Sequence, residues 1–203
     1  MSREVESLEF SNSIRFLPWI GSEFKSHPGW PGRVLLIGEG HYADDRDNPQ
    51  LTREVIEGQW NGKSYSYFTK LAQAMLGKPH PEIDKPRFWA SVAFYNFVQD
   101  IVADDPRIAP SEEQWNEALA SLPEVIDKLS PDYIIATGKR LWCHLPDWPQ
   151  TTPLQHEAKT WDVCAGSALQ GHKFKATYIY HPSSVAFGNS QRWHRLLTEF
   201  MRQ

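Results

Sequence analysis

Four consecutive β-forming apolar residues, Val34-Leu35-Leu36-Ile37, run straight into Gly38-Glu39-Gly40-His41-Tyr42-Ala43-Asp44-Asp45. An uninterrupted apolar run of this length reads as a strand covered on both faces, which places it inside a parallel sheet with helices packed on it. The two glycines let the backbone turn sharply and present Glu39 at the strand's carboxyl end. In open α/β sheets that end is where ligands bind. Near the other terminus, Tyr178-Ile179-Tyr180-His181-Pro182-Ser183-Ser184 repeats the arrangement, with a strand delivering a histidine.

Between these stretches the pattern alternates. Residues 1–32 form a loosely patterned lead-in broken by Pro18, Pro28 and Pro31, and residues 33–203 form one domain. The first strand is expected at 33–38. A polar loop follows over 43–64, with a short helix at 51–57. Tyr65 to Leu76 carries Phe68, Leu71, Ala72, Met75 and Leu76 at helical spacing, closed by Gly77. Ala90 to Tyr95 reads as the second strand, ending at Asn96. Ser111 and Gln114 form a capping box for a helix that Pro123 should kink or split. Tyr133 to Thr137 is the third strand, turning at Gly138 into a short helix near 139–144. Segments 161–165 and 172–181 form a hairpin whose second arm is the fourth strand, and Ser190 caps a final helix. Strands alternating with helices predict a three-layer α/β/α sandwich with a mainly parallel, four-stranded central sheet.

Charge and composition narrow the function. The 203 residues carry a net charge of −4, so nucleic-acid contact would need a local patch drawn from Lys139, Arg140, Arg192, Arg195 and Arg202. Nine Trp, seven Tyr and ten Phe exceed what the strands need, so some are expected to line loops or a cleft. Cys143 and Cys164 are too few for an all-cysteine zinc site or an iron–sulfur cluster. The eight histidines show no H-x-x-x-H spacing, and the Asp44, Asp45 and Asp47 run lacks the features of a calcium loop, so neither metal nor cofactor is expected. Gly38-x-Gly40-x-x-Ala43 partly matches a dinucleotide fingerprint, but the acids after it would repel a diphosphate. No apolar run approaches membrane-spanning length, and a soluble, cytosolic monomer is expected.

What remains is a set of polar groups at strand ends: Glu39, Asn96, Gly138 and His181. A carboxylate, an amide and an imidazole facing one crevice suit cleavage of a glycosidic bond on a planar ligand. The carboxylate stabilises an oxocarbenium ion or orients water. The amide reads an edge bearing a donor and an acceptor. The imidazole hydrogen-bonds the charge developing on the leaving group.

Together these motifs resemble the uracil-DNA glycosylase superfamily over about residues 33–200. Gly38-Glu39-Gly40-His41-Tyr42-x-Asp44-Asp45 is similar to its first motif, and Tyr42 sits where the classical uracil enzymes carry a tyrosine crowding the pyrimidine 5-position. Gly62-Lys63-Ser64-Tyr65 resembles the segment supplying an aromatic that stacks on the flipped base. Asn96 resembles the strand-end asparagine that reads the base, Ile134 to Gly138 the third strand, and His181-Pro182-Ser183-Ser184 the second motif with its minor-groove loop. Two departures stand out. The chain lacks the four cysteines of the iron–sulfur branch, and His41-Tyr42 replaces a proline-containing pair.

The resemblance implies a monofunctional DNA glycosylase acting on uracil or a related modified pyrimidine. Glu39 and His181 would be catalytic, and Gly38, Gly40, His41, Tyr42 and Asn96 would bind the base. Tyr65, in preference to Phe68, would stack on it. Ser183, Ser184, Val185 and Phe187 would probe the DNA with one apolar wedge, while Gly138, Lys139 and Arg192 contact the backbone. A glycosylase for bulky modified cytosine in bacteriophage DNA is an alternative, as are a catalytically silent nucleic-acid-binding relative and an N-glycosidase of free nucleosides.

Overall fold

The computed structural model describes residues 8–26, 29–42, 48–61, 65–103 and 108–203. The acids Asp44, Asp45 and Asp47 and the segment Gly62 to Ser64 lie outside the described residues. The protein is α/β, with a mixed six-stranded sheet. Its strands are β1 (Trp19–Ile20), β2 (Val34–Gly38), β3 (Ala93–Asn96), β4 (Tyr133–Thr137), β7 (Cys164–Ser167) and β8 (Lys173–Ile179), in the order β1-β3-β2-β4-β8-β7. A separate two-stranded hairpin joins β5 (Leu154–His156) to β6 (Lys159–Trp161).

The four strands expected from the apolar runs form the middle of this sheet, and neighbours among them run parallel. Two further strands, β1 and β7, add antiparallel at the edges, so the sheet is larger and more mixed than the expected four. All five residues of β2 are buried, as a strand covered on both faces requires. Ile14 and Phe24, from the segment ahead of β2, sit in the same core as Val34 to Ile37.

The helices are α1 (Leu51–Glu57), α2 (Ser66–Leu76), α3 (Lys85–Ala90), α4 (Glu112–Leu129), α5 (Lys139–Trp142) and α6 (Ser190–Arg202). Gly77 ends α2 in a left-handed conformation, φ 67°, donating its N–H to the Gln73 carbonyl. In α4, Ser111 and Gln114 satisfy each other's backbone N–H groups as a capping box.

Four local expectations are corrected. Pro123 does not split α4, which runs through it as one helix. Ala90 belongs to α3 rather than to the second strand: Asp84 accepts the Arg87 N–H and Pro86 occupies the first turn, so the apolar run opens as a helix burying Phe88 and Trp89. Trp161 pairs with Leu154 in the separate hairpin, leaving Cys164–Ser167 as the partner of β8. The cap of α6 is Asn189, whose side chain accepts the Gln191 N–H at 2.8 Å. Ser190 is the first helical residue, its hydroxyl turned toward Gln73.

Candidate functional site

β2, β3 and β8 end on the same side of the sheet, because parallel neighbours share a direction. Gly38 pairs with Asn96, and Thr137 with Ile179. The segments leaving β2 and β3 are then tied together: Phe97 and Val98 donate to the Gly38 and Glu39 carbonyls at 2.9 and 2.8 Å, and Val102 to that of His41. This lacing fixes the backbone that carries Glu39. A cavity of about 350 Å³ opens there, lined among others by Glu39, Tyr42, Tyr67, Asn96, His181 and Ser183. Its size falls at the small end of the roughly 300–1,000 Å³ common for ligand pockets.

Gly38 is needed for close approach rather than for a special turn. A Cβ there would stand 2.4 Å from Asn96 Oδ1 and 2.7 Å from the Phe94 ring. The buried Asn96 amide is further positioned by His41: its Nδ2 lies 3.0 Å from His41 Nε2, which also meets Thr52 Oγ1 at 2.8 Å. An amide nitrogen only donates, so Nε2 accepts and the ring is the neutral tautomer with its proton on Nδ1. Burial pushes His41 down to about 4, in agreement. His41 lines the cavity, and its ring packs edge-on to Phe16, with centroids 4.8 Å apart, while it holds Asn96.

Glu39 projects from the end of β2 with its side chain only 10% exposed. Arg140 Nε donates to Oε2 at 2.8 Å and Nη2 donates to Oε1, and the Tyr42 hydroxyl reaches Oε1 at 2.9 Å. Burial, and then the Glu39 charge, raise the Tyr42 hydroxyl well above the ordinary phenol range, so it remains a donor to the carboxylate. The hydrogen bonds that Arg140 donates to Glu39 raise the guanidinium in turn. Arg140, grouped in the sequence with material for phosphate contact, is instead the partner of the central carboxylate.

His181 follows β8 by two residues. Its Nδ1 accepts the Ser183 N–H at 3.2 Å. The neutral ring then carries its proton on Nε2 and can donate from that nitrogen. Burial lowers His181 below the ordinary imidazole range, opposed by the Glu39 charge. Tyr67 lies against this ring at 5.1 Å and 40°, its hydroxyl 2.6 Å from Thr137 Oγ1; Thr137 in turn donates to the Ile37 carbonyl at 2.8 Å.

The expected stacking aromatics fare differently. Tyr65 lines the cavity but is the exposed N-cap residue of α2, and Phe68 lines it while held edge-on by Tyr67, Trp89 and Phe94. Tyr67, one step before Phe68 on the helix, makes the tilted ring contact with the imidazole, and the sequence reading does not single it out. Three aromatics crowd the start of α2, and only the helix's rotational setting selects among them.

In the segment after His181, Val185 is fully exposed at the tip and Ser183 is exposed, while Ser184 is half-buried. Phe187 is not available as a wedge: it is buried, stacked at 5.6 Å on Trp193. Gly138 is buried at the end of β4, with room for a Cβ 3.8 Å from His181, and Lys139 is exposed beside it. Arg192 is paired with Glu157 at 3.0 Å and lies over the Trp193 ring. Among the described residues no three His, Cys, Asp or Glu side chains are grouped to hold a metal ion, and no helix is long and apolar enough to cross a membrane. No protein-family model matches the chain, and a search of curated proteins found no match.

Proposed function

We propose that the protein is a DNA glycosylase that hydrolyses the N-glycosidic bond of a flipped uracil or related modified pyrimidine. The observation carrying this reading is the convergence of Glu39, Asn96 and His181 on one cavity at the carboxyl ends of three strands. The central run of parallel strands is the arrangement expected for a three-layer, uracil-DNA glycosylase-like architecture, and the order of the three residues along the chain follows the resemblance noted above.

In this reading the base enters the cavity alongside the Tyr65, Tyr67 and Phe68 rings that line it. The flip itself costs roughly a few kcal/mol in lost stacking and pairing. Asn96 presents Oδ1 and its second amide hydrogen to the base edge, the other hydrogen being spent on His41. His181 donates its Nε2 hydrogen to the carbonyl oxygen on which charge gathers as the bond breaks. Neutrality serves this role, because the donor supports the departing anion without first giving up a proton to it. The Glu39 carboxylate faces the sugar, where it stabilises positive charge on the anomeric carbon or holds the attacking water. Water adds its hydroxyl to that carbon, and its proton leaves to solvent or to the departing base. The product is an abasic site. Val185, fully exposed beside the cavity mouth, fills the gap in the duplex, with Ser183, Ser184 and Lys139 near the backbone.

One observation favours a second reading, nucleic-acid binding without base release. Both carboxylate oxygens of Glu39 are already engaged, by Arg140 and Tyr42. Single-turnover incubation with uracil and modified-cytosine oligonucleotides, read as alkali-labile sites, separates the two. Release that disappears in Glu39→Gln and His181→Ala supports the glycosylase. Binding with no release from any substrate supports the silent relative. Release by both variants at the parental rate refutes the assignment of these residues.

A further inference from the structure

A second charged cluster stands apart from the cavity, where the β5–β6 hairpin meets α6. The hairpin turns through two residues, Glu157 and Ala158, with φ of 49° and 57°. Two-residue turns of this kind favour Asn-Gly or Asp-Gly, because a Cβ disfavours left-handed backbone. Here a glutamate occupies such a position, and its carboxylate is aimed at cations. Oε2 lies 3.0 Å from Arg192 Nη2, and Oε1 lies 3.8 Å from Arg195 Nη2. His156 Nε2 is 3.9 Å from the same Oε1.

Arg192 is better anchored than the anion, whereas Arg195 is 73% exposed. Arg192 is held over the Trp193 ring at 4.9 Å, its side chain 21% exposed against 37% for Glu157. The cluster also has unused hydrogen-bonding capacity. Arg192 Nε and His156 Nε2, on a histidine 9% exposed, are buried without a hydrogen-bond partner among the described residues. No acidic residue lies in the first turn of α6 to compete there. A Cβ on Gly188 would lie 3.7 Å from Arg192 Nη1, so the arginine abuts the end of the segment that begins at His181 and exposes Val185.

Two neighbouring arginines, one with an unspent donor, suit the oxygens of a phosphate better than a single carboxylate. We propose that Arg192 and Arg195 form a binding site for a backbone phosphate of nucleic acid, and that Glu157 is the chain's own occupant of that site. Entering nucleic acid displaces the carboxylate, which the hairpin turn holds in a disfavoured backbone conformation and which returns to water. The chain thus keeps this phosphate contact covered until a polyanion competes for it. The choice of nucleic acid as ligand rests on the glycosylase reading; the exchange of carboxylate for phosphate does not require base release.

The test is equilibrium binding of the full chain to an undamaged, fluorescein-labelled DNA duplex over a range of salt concentrations, so that success does not depend on catalysis. Glu157→Gln is expected to bind several-fold tighter at low salt. Its log K against log salt should keep the parental slope, because the same phosphate is contacted in both, and the slope should flatten by about 0.9 when the arginines that contact it are removed. Glu157→Asn, which suits left-handed backbone, should show the same gain and covers a folding defect in the first variant. Adding Arg192→Gln and Arg195→Ala to Glu157→Gln should abolish the gain. Glu199→Gln, the same charge change on the exposed part of α6, should give less than half of it. Equal affinity of Glu157→Gln and the parent, an equal gain from Glu199→Gln, or no binding by any of them overturns the proposal. Tighter binding with no base released anywhere supports the site and rejects the glycosylase.

Discussion

The glutamate–arginine pairs Glu39–Arg140 and Glu157–Arg192 are built in opposite senses. At the cavity the carboxylate is the sheltered member: Glu39 is 10% exposed and Arg140 is 44% exposed. At the hairpin the arginine is sheltered, with Arg192 21% exposed and Glu157 37%. An exposed partner in such a pair contributes little, commonly about 0–1 kcal/mol, and exchanges readily with a ligand charge of the same sign. The sheltered member cannot leave without rearranging its surroundings. The cavity is therefore organised to keep an anion, as the proposed base release through a cationic transition state would require. The α6 end of the second pair is organised to keep a cation, as the proposed phosphate contact would require.

The largest expected effect tests the first half of that contrast. Glu39→Gln should lower single-turnover base release about a thousandfold, roughly 4 kcal/mol, and His181→Ala about a hundredfold. Both should retain a cooperative thermal transition. A Glu39→Gln protein that releases base at the parental rate would make the sheltered carboxylate a structural anchor, and the contrast would lose its functional meaning.

Next in size is the neutral floor under the cavity. Because burial depresses His41 from 6.5 to about 4, the unfolded chain binds a proton in that interval that the folded chain refuses. Stability should therefore fall as pH drops from about 6.5 to about 4 and level off below, by roughly 3 kcal/mol from this group. His181 is shifted in the same direction and adds to the slope. Urea titrations at stepped pH should show His41→Gln flattening the curve by about one proton. An unchanged curve would mean that His41 is not held neutral by the fold.

Smaller again is Gly38→Ala, which drives a methyl into Asn96 Oδ1 and the Phe94 ring. A loss of about 1–3 kcal/mol is expected from urea midpoints, the usual range for overpacking. A neutral result would show that the strand ends have slack. The smallest effect compares the arginines. Arg140→Ala should destabilise by about 1 kcal/mol, since it leaves the sheltered Glu39 without its cation. Arg195→Ala, 73% exposed, should stay within about 0.5 kcal/mol. Reversal of that order would contradict the sheltered-anion description of the cavity.

Much of the frame was legible in the chain itself. Val34 to Ile37 and Tyr133 to Thr137 are strands because an apolar β-branched run between glycine and polar breaks has few other solutions. The 3.6-residue spacing of Trp193, Leu196, Leu197 and Phe200 marks α6 equally well, and all four are buried. Glu39, Asn96 and His181 could be named because each ends a readable strand, and parallel neighbours bring such ends together. Ala90 was misplaced because an apolar run says nothing about helix or strand until the Asp84 cap is weighed. The resemblance makes Phe187 a candidate wedge, as an apolar residue soon after His181-Pro182-Ser183-Ser184, yet Trp193 takes it into the core.

The residues that the sequence did not disclose are partners across long separations. Arg140 is 101 positions from Glu39, and Glu157 is 35 from Arg192. Local pattern determined which strands form and which polar groups stand at their ends, because periodicity and turn chemistry act over a few residues. Tertiary packing alone decided that Tyr67 faces the imidazole, that His41 serves Asn96, and which member of each ion pair is sheltered. Burial and pairing depend on what the rest of the chain brings alongside, and no short-range pattern records that.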